Sequence, residues 1–226
     1  MTEIFDDWPE KYDRWFETPI GKLVKEYESR LILEMLKPAP GERTLDAGCG
    51  TGMFTRDLLT SGAAVTGLDL SLPMLRRAGS KAAVRPFLMV GGDLRRLPFA
   101  ENSFDKVVSV TAIEFIEDAK GAVDELFRVT RPGGRIVVAS LNRLSPWAVR
   151  RTENAGKGHA LFRHALFRSP DEMTTLAPTN CLIRTAIHFL KHDDPLRAQA
   201  IEKDGQEKGL DTGAFLVVCW EKPRGG

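Results

Sequence analysis

Cysteine is sparse in this 226-residue chain: Cys49, Cys181 and Cys219 are odd in number and far apart. That spacing argues against a disulfide framework and for a reducing compartment, the cytoplasm. No CxxC, HxxxC or HExxH spacing occurs, so no metal motif is legible. Also missing is any apolar run approaching about 18 residues, and nothing reads as a membrane span. The start, Met1-Thr2-Glu3-Ile4-Phe5-Asp6-Asp7, is acidic where a secretory signal would be basic and then apolar. Neither sign of charge dominates: 32 Lys and Arg face 31 Asp and Glu, and a net charge of +1 provides no global field for nucleic acid or an anionic membrane. With 20 Gly, 13 Pro, 42% hydrophobic and 28% charged residues, collagen-like and disordered classes are excluded. At about 150 residues per domain, the length predicts one large domain with appendages.

What is present is a change of period. Ile20, Leu23, Val24, Tyr27, Leu31 and Met35 recur at three- and four-residue steps, and Pro38 and Pro40 follow as breakers, which predicts an amphipathic helix. Short apolar runs then alternate with helical segments: 44–46, 64–69, 87–90, 106–110 and 135–139. Such β-branched runs separated by helices imply parallel strands covered on both faces. Ser71 and Asp118 can cap two of the helices, and Arg131-Pro132-Gly133-Gly134 stops the second. Near the end, 182–190 and 214–220 read as two strands joined by a polar connection, a hairpin at the sheet's edge. The expected fold is α/β: a doubly wound, mostly parallel seven-stranded sheet with an antiparallel C-terminal hairpin. One domain spans 1–226, with residues 1–38 as an N-terminal helical segment and 141–168 as an insertion too long for an ordinary loop.

The strongest chemical signal is Leu45-Asp46-Ala47-Gly48-Cys49-Gly50-Thr51-Gly52-Met53, between the first strand and a helix. In an open parallel sheet the ligand crevice lies beyond the carboxyl ends of the strands, where glycines permit tight turning and close backbone approach. Met53 stands where a dinucleotide fingerprint needs glycine or a small residue, which weakens that reading. Two acids follow at strand ends, Asp69 and Asp93. Carboxylates there can accept hydrogen bonds from ribose hydroxyls and an adenine amino group, or simply from backbone amides in their own turns.

These residues resemble the class I S-adenosylmethionine-dependent methyltransferases, in the branch holding the ubiquinone and menaquinone C-methyltransferases and many small-molecule methyltransferases. The resemblance runs from about Thr44 to Ala139 and rests on LDAGCGTG at 45–52, GLDLSLPML at 67–75, GGDLRRLPF at 91–99 and RPGG at 131–134. It implies a Rossmann-like methyltransferase fold and S-adenosylmethionine as methyl donor, with S-adenosylhomocysteine as product. By position, Gly48, Gly50 and Gly52 would line the methionine moiety and Asp46 would help bind its ammonium group. Asp69 would take the ribose hydroxyls, Leu70 and Met74 would flank the adenine, Asp93 would accept from its amine, and the Leu94 amide would face the ring. Thr111 would sit near the sulfonium. Cys49 belongs to the same turn, with no nearby His or second Cys to make it more than a small buried residue.

Methyl transfer from a sulfonium is an in-line displacement, so the protein mainly positions the reactants and excludes water, and a base helps only where the acceptor is protonated. Two regions could close over the acceptor. In Tyr12-Asp13-Arg14-Trp15-Phe16, aromatic faces could meet a sulfonium or flat substrate, with Tyr12 preferred; the alternative is that Trp15 and Phe16 only anchor a helix. In residues 142–168, Arg143, Arg150, Arg151, Lys157, Arg163 and Arg168 face Glu153 alone, with His159 and His164 alongside. That stretch reads as a solvated face or as a binder of carboxylate or phosphate on the acceptor. Glu114 could reach a substrate proton or cap local backbone. His188 and His192 are read as a solvated loop. The expected partner is a small-molecule acceptor, with an anionic one open, as is transfer to O, N or C. RNA or protein methylation is disfavoured by the balanced charge, and a non-catalytic binder of the methyl donor is the competing class.

Overall fold

The computed structural model describes residues 9–81, 87–154 and 165–224. Helices α1 (Pro9–Glu17) and α2 (Pro19–Leu36) precede the sheet. The Thr18 side chain caps α2 by accepting from the Gly21 amide, and Lys37 ends it in the left-handed conformation, just before the proline breakers. There follow β1 (Arg43–Ala47), α3 (Thr55–Thr60), β2 (Ala64–Asp69), α4 (Leu72–Lys81), β3 (Leu88–Gly91), β4 (Phe104–Val110), a 3-10 turn (Ile113–Phe115), α5 (Ala119–Val129) and β5 (Thr130–Leu141). The last part is α6 (Pro146–Asn154), α7 (Pro170–Thr174), β6 (Cys181–Ala186), α8 (Pro195–Glu207) and β7 (Phe215–Glu221).

These strands form one seven-stranded sheet of order β3-β2-β1-β4-β5-β7-β6, parallel from β3 to β5 and antiparallel at β5–β7 and β7–β6. This is the doubly wound, mostly parallel α/β sheet that the alternating runs predict. Because successive residues in a strand face opposite ways, its centre feeds two cores. Val108, Val137, Ala139 and Val217 pack with Leu31, Ile32 and Met35 of α2 and Leu58 of α3. Val107, Ile136, Val138 and Val218 pack on the other face with Val123, Leu126 and Val129 of α5.

Two expectations change. The connection between the last two strands carries α8, capped by Asp194 and burying only Ala198, Glu202 and Gly205, so its short apolar stripe hides it from periodicity. The antiparallel pair of β6 and β7 stands at one edge of the sheet as expected, with β7 next to β5 and β6 outermost. His188 is not in a solvated loop: its Nδ1 lies 3.0 Å from Glu202 Oε2, with both side chains almost wholly buried. In addition, β5 begins at Thr130, so RPGG forms a bulge within the strand, between the Phe104↔Thr130 and Lys106↔Arg135 pairings.

Candidate functional site

The carboxyl ends of β1, β2, β3 and β4 open into a cavity of about 830 Å³, within the size range of small-molecule sites. The glycine turn after β1 is fastened to the end of β2: the Gly48 and Cys49 amides both donate to Leu68 O, at 2.7 and 2.9 Å. Gly48 has φ +79°, and a Cβ there would lie 2.7 Å from the Ala112 Cβ, so only glycine fits. Gly50, at φ +53°, would meet nothing within 4 Å, and its surroundings are open cavity. Gly52 is different. It does not line the cavity, and a Cβ on it would stand 3.1 Å from Ala78 on α4. It lets the turn pack on that helix.

The strand-end acids surround this turn. Asp69 accepts from the Gly50 amide at 2.8 Å and the Ser71 amide at 2.9 Å. Burial raises its pKa, against the pull of those amides. Asp46 is buried and accepts from Thr55 Oγ1 at 2.5 Å; burial, then the charge of Asp69, pushes its pKa up to about 7. Asp93 accepts from the Arg95 amide and guanidinium, and that guanidinium holds its carboxyl below the usual range. Leu70, Met74 and Leu94 stand around this end of the cavity. Burial and the charges of Asp46 and Asp69 push the Cys49 thiol up, so no reactive thiolate forms.

The opposite wall is aromatic. Tyr12, Trp15 and Phe16 project from α1 and meet Trp147 of α6, whose ring centroid is 6.3 Å from that of Trp15. Trp147 is fixed by donating to Phe189 O at 2.7 Å. The Tyr12 hydroxyl hydrogen-bonds with the Thr111 side chain, and burial, then the charge of Glu28, raises its pKa far above the ordinary tyrosine value. Thr111 sits just past β4 at φ +48°, a strained conformation for a β-branched residue, held by its amide on Ala139 O at 2.8 Å. Glu114, in the 3-10 turn, lines the cavity and is fully buried.

The α1 wall is tied to the glycine-turn wall through Asp13. This buried carboxylate accepts from Thr51 Oγ1 at 2.8 Å, Arg77 Nε at 2.9 Å and Lys81 Nζ at 2.5 Å. Burial raises its pKa, but these hydrogen bonds outweigh burial and leave it below the ordinary value. The tie escapes sequence reasoning because its partners lie far apart in the chain, as does Glu28, which reads as one more charge on an amphipathic helix. Leu141, Ile187 and Ala214 also line the cavity without a local motif to mark them.

Of the basic stretch at 142–168, Arg143 pairs with Glu172 at 2.8 Å. Arg168 donates to the carbonyls of Ile113 and Ile116 at 3.0 and 3.1 Å, pinning the turn that carries Glu114. Arg150 reaches the cavity from α6. Lys157, His159, Arg163 and His164 lie outside the described residues, and so does the side chain of Arg151.

Residues 45–138 match the sequence family described as Methyltransferase domain. A demethylmenaquinone methyltransferase of Beutenbergia cavernae is 38% identical over 146 residues, covering 64% of this chain and 59% of that protein. A malonyl-[acyl-carrier protein] O-methyltransferase of Erwinia pyrifoliae is 42% identical over 110 residues, covering 49% and 41%. The chain thus spans less than two thirds of the length of these curated relatives. Among solved structures, a SAM-dependent methyltransferase of Thermotoga maritima, described as a possible histamine N-methyltransferase, superposes with a TM-score of 0.72. It is 24% identical, covering 98% of this chain and 100% of that one. At that identity the likeness speaks for the fold alone.

Proposed function

We propose that this chain, whose residues 45–138 carry a methyltransferase domain, transfers a methyl group from S-adenosylmethionine to a small organic acceptor. The observation that carries the reading is a single cavity with two unlike ends: a glycine turn ringed by strand-end carboxylates, and an aromatic wall closed over it by α1. The first end suits a nucleoside with a charged tail. Open space at Gly50 admits close approach, Asp69 and Asp93 offer acceptors for hydroxyl and amino groups, and Leu70, Met74 and Leu94 offer apolar faces for a base. Asp46, Gly48 and Cys49 floor the same end, while Gly52 serves by seating the turn on α4.

When bound, S-adenosylmethionine supplies an electrophilic methyl on a sulfonium. The protein's part is to align and dehydrate. In this reading Thr111 and Tyr12, hydrogen-bonded to each other in the cavity wall, orient the acceptor, and the buried Glu114 of the same wall receives a proton. Residues 9–17 act as the closing segment, and α6, from the 141–168 insertion, contributes Trp147 to the acceptor wall. No described helix is long and apolar enough to cross a membrane.

Purified protein should be stabilised against heat by S-adenosylhomocysteine and should consume methyl-labelled S-adenosylmethionine when given its acceptor. Asp69→Ala should lose most of the thermal shift. A wild-type protein with no shift, or a variant shifting like wild type, would refute the reading; a shift with no turnover on any acceptor leaves a binder of the donor.

A further inference from the structure

The methyl-transfer reading, on which this inference rests, gives the acceptor the wall opposite the glycine turn. That wall includes the stretch after β6, where Ile187, Leu190, Lys191 and His192 line the cavity. Ile187 is buried with φ +66°, a conformation that a β-branched residue keeps only where its surroundings hold it. The hold is on the peptide group that follows. At one end of it the Ile187 carbonyl accepts from the Ala214 amide at 2.9 Å, and at the other the His188 amide donates to Glu202 Oε2 at 2.7 Å. A planar peptide tied at both ends cannot turn without losing both bonds, so the torsion that places Ile187 in the wall is fixed from outside it.

Glu202 reaches that amide from α8 and is itself held in place. Its Oε2 also lies 3.0 Å from His188 Nδ1, and its Oε1 accepts from Gln206 Nε2 at 2.7 Å. Helix α8 comes this close because residue 205 is glycine: a Cβ there would stand 2.4 Å from His188 Cγ. The next residue along seats a second part of the wall, since Phe189 O accepts from Trp147 Nε1 at 2.7 Å. A shift of residues 187–189 would therefore move Ile187 and the Trp147 ring together. Glu202 stands behind the cavity lining and is not part of it.

We propose that Glu202 is a positioning residue for the acceptor: by accepting from the His188 amide it keeps Ile187 left-handed and Trp147 seated, and so sets the shape of the chamber in which the acceptor lies. For this role the reach of its oxygen matters and its charge does not. Glutamine keeps the reach. Its carbonyl oxygen takes the place of Oε2, and its amino group faces Gln206, whose amide turns to accept. Aspartate keeps the charge but is one carbon shorter, which draws the carboxylate away from the His188 amide.

The test uses the full chain saturated with S-adenosylhomocysteine. Calorimetry measures binding of 2-naphthol, an uncharged aromatic probe of this wall, and NMR couplings report the backbone torsion of Ile187. Glu202→Asp should raise the Kd of 2-naphthol about tenfold to a hundredfold, as loss of a hydrogen bond to a charged group does, and should release Ile187 from the left-handed region. Glu202→Gln should keep the torsion and hold the Kd within about threefold of wild type, although it melts earlier. Both variants should keep the wild-type thermal shift with S-adenosylhomocysteine, which shows that they are folded. Unchanged probe affinity in Glu202→Asp overturns the proposal. So does a loss in Glu202→Gln as large as in Glu202→Asp, because the charge would then be what counts. If Glu202→Asp does not fold, Glu202→Gln decides alone: retained torsion and affinity support the proposal, and loss of either overturns it. A wild type that S-adenosylhomocysteine stabilises but that binds no 2-naphthol overturns the assignment of this wall to an acceptor, and the role of Glu202 with it. Absence of any S-adenosylhomocysteine shift in wild type overturns the methyl-transfer reading itself.

Discussion

Replacing Asp13 with alanine should loosen the wall that covers the cavity while leaving the sheet beneath it intact. Asp13 gathers one hydroxyl and two cationic donors, from Thr51, Arg77 and Lys81, and its side chain is 9% exposed. A neutral hydrogen bond contributes about 1 kcal/mol and one to a charged group about 1.5–3 kcal/mol, so the three would total several kcal/mol if fully buried. The Arg77 side chain is 42% exposed and that of Lys81 29%, so water takes up much of what those donors lose. A net loss of about 2–3 kcal/mol remains, which is an acceleration of roughly 30- to 150-fold in the opening of residues 9–17. Amide hydrogen exchange over α1, with the strands as internal reference, measures it directly. The pH dependence has a definite sign. The folded carboxyl is held below its ordinary value, so the latch is whole above the unfolded value near pH 4 and is lost as pH falls through the folded one. Wild-type α1 should therefore open in acid. If exchange in 9–17 changes less than about threefold in Asp13→Ala, the assignment of Asp13 as the tie is wrong.

Three further outcomes follow from the same geometry. Gly48→Ala forces a Cβ to 2.7 Å from Ala112 at φ +79°, whereas Gly50→Ala meets open space; the first should lose about 2–3 kcal/mol of stability and the second only the left-handed penalty of about 1–2 kcal/mol, with S-adenosylhomocysteine binding weakened in both. Equal melting temperatures for the pair would contradict this. Burial raises Asp46 to about 7, so the folded state keeps a proton that the unfolded chain has released, and unliganded stability should fall as pH rises from about 4 to 7; Asp46→Asn should flatten that fall, and an unchanged slope would clear Asp46 of it. Glu202→Gln removes the charge that, against burial, raises His188, at a cost of about 3 kcal/mol or roughly 6–12 °C in melting temperature. The His188 share of that margin is whole below the unfolded histidine value near 6.5 and shrinks as pH rises through the raised folded one. A margin that grows instead above pH 7 would count against the pairing.

The parts legible in the sequence are those whose cause is local. The glycine turn, the acids at strand ends, the Ser71 and Asp118 caps and the β-branched runs each depend on a few neighbouring residues, and each stands where its spacing places it. Contacts across the chain escaped. Helix α8 hides because it buries little but Ala198, Glu202 and Gly205, two of them unremarkable in any hydrophobic pattern. Gly52 reads as a ligand glycine until Ala78 is found beneath it. Asp13 and Glu28 look like surface charges until tertiary packing closes around them. The RPGG stretch ends α5 as its prolyl and glycyl residues demand, yet the chain is already paired to β4 at Thr130.

The reversal of β7 reaches beyond topology. Because β7 runs against β5 and β6, its first residues lie level with the last ones of both: Leu141 and Ala186 each pair with Phe215. The neighbouring Ile187 and Ala214 therefore reach the same cavity as the glycine turn, from the far side. The segments before 45 and after 138 thus join residues 110–116 in shaping the wall opposite the glycine turn. Under the methyl-transfer proposal, substitutions at Leu141, Ile187 or Ala214 would recut the acceptor wall from strand ends that the glycine turn does not touch, and so alter the choice of acceptor without altering the hold on the donor.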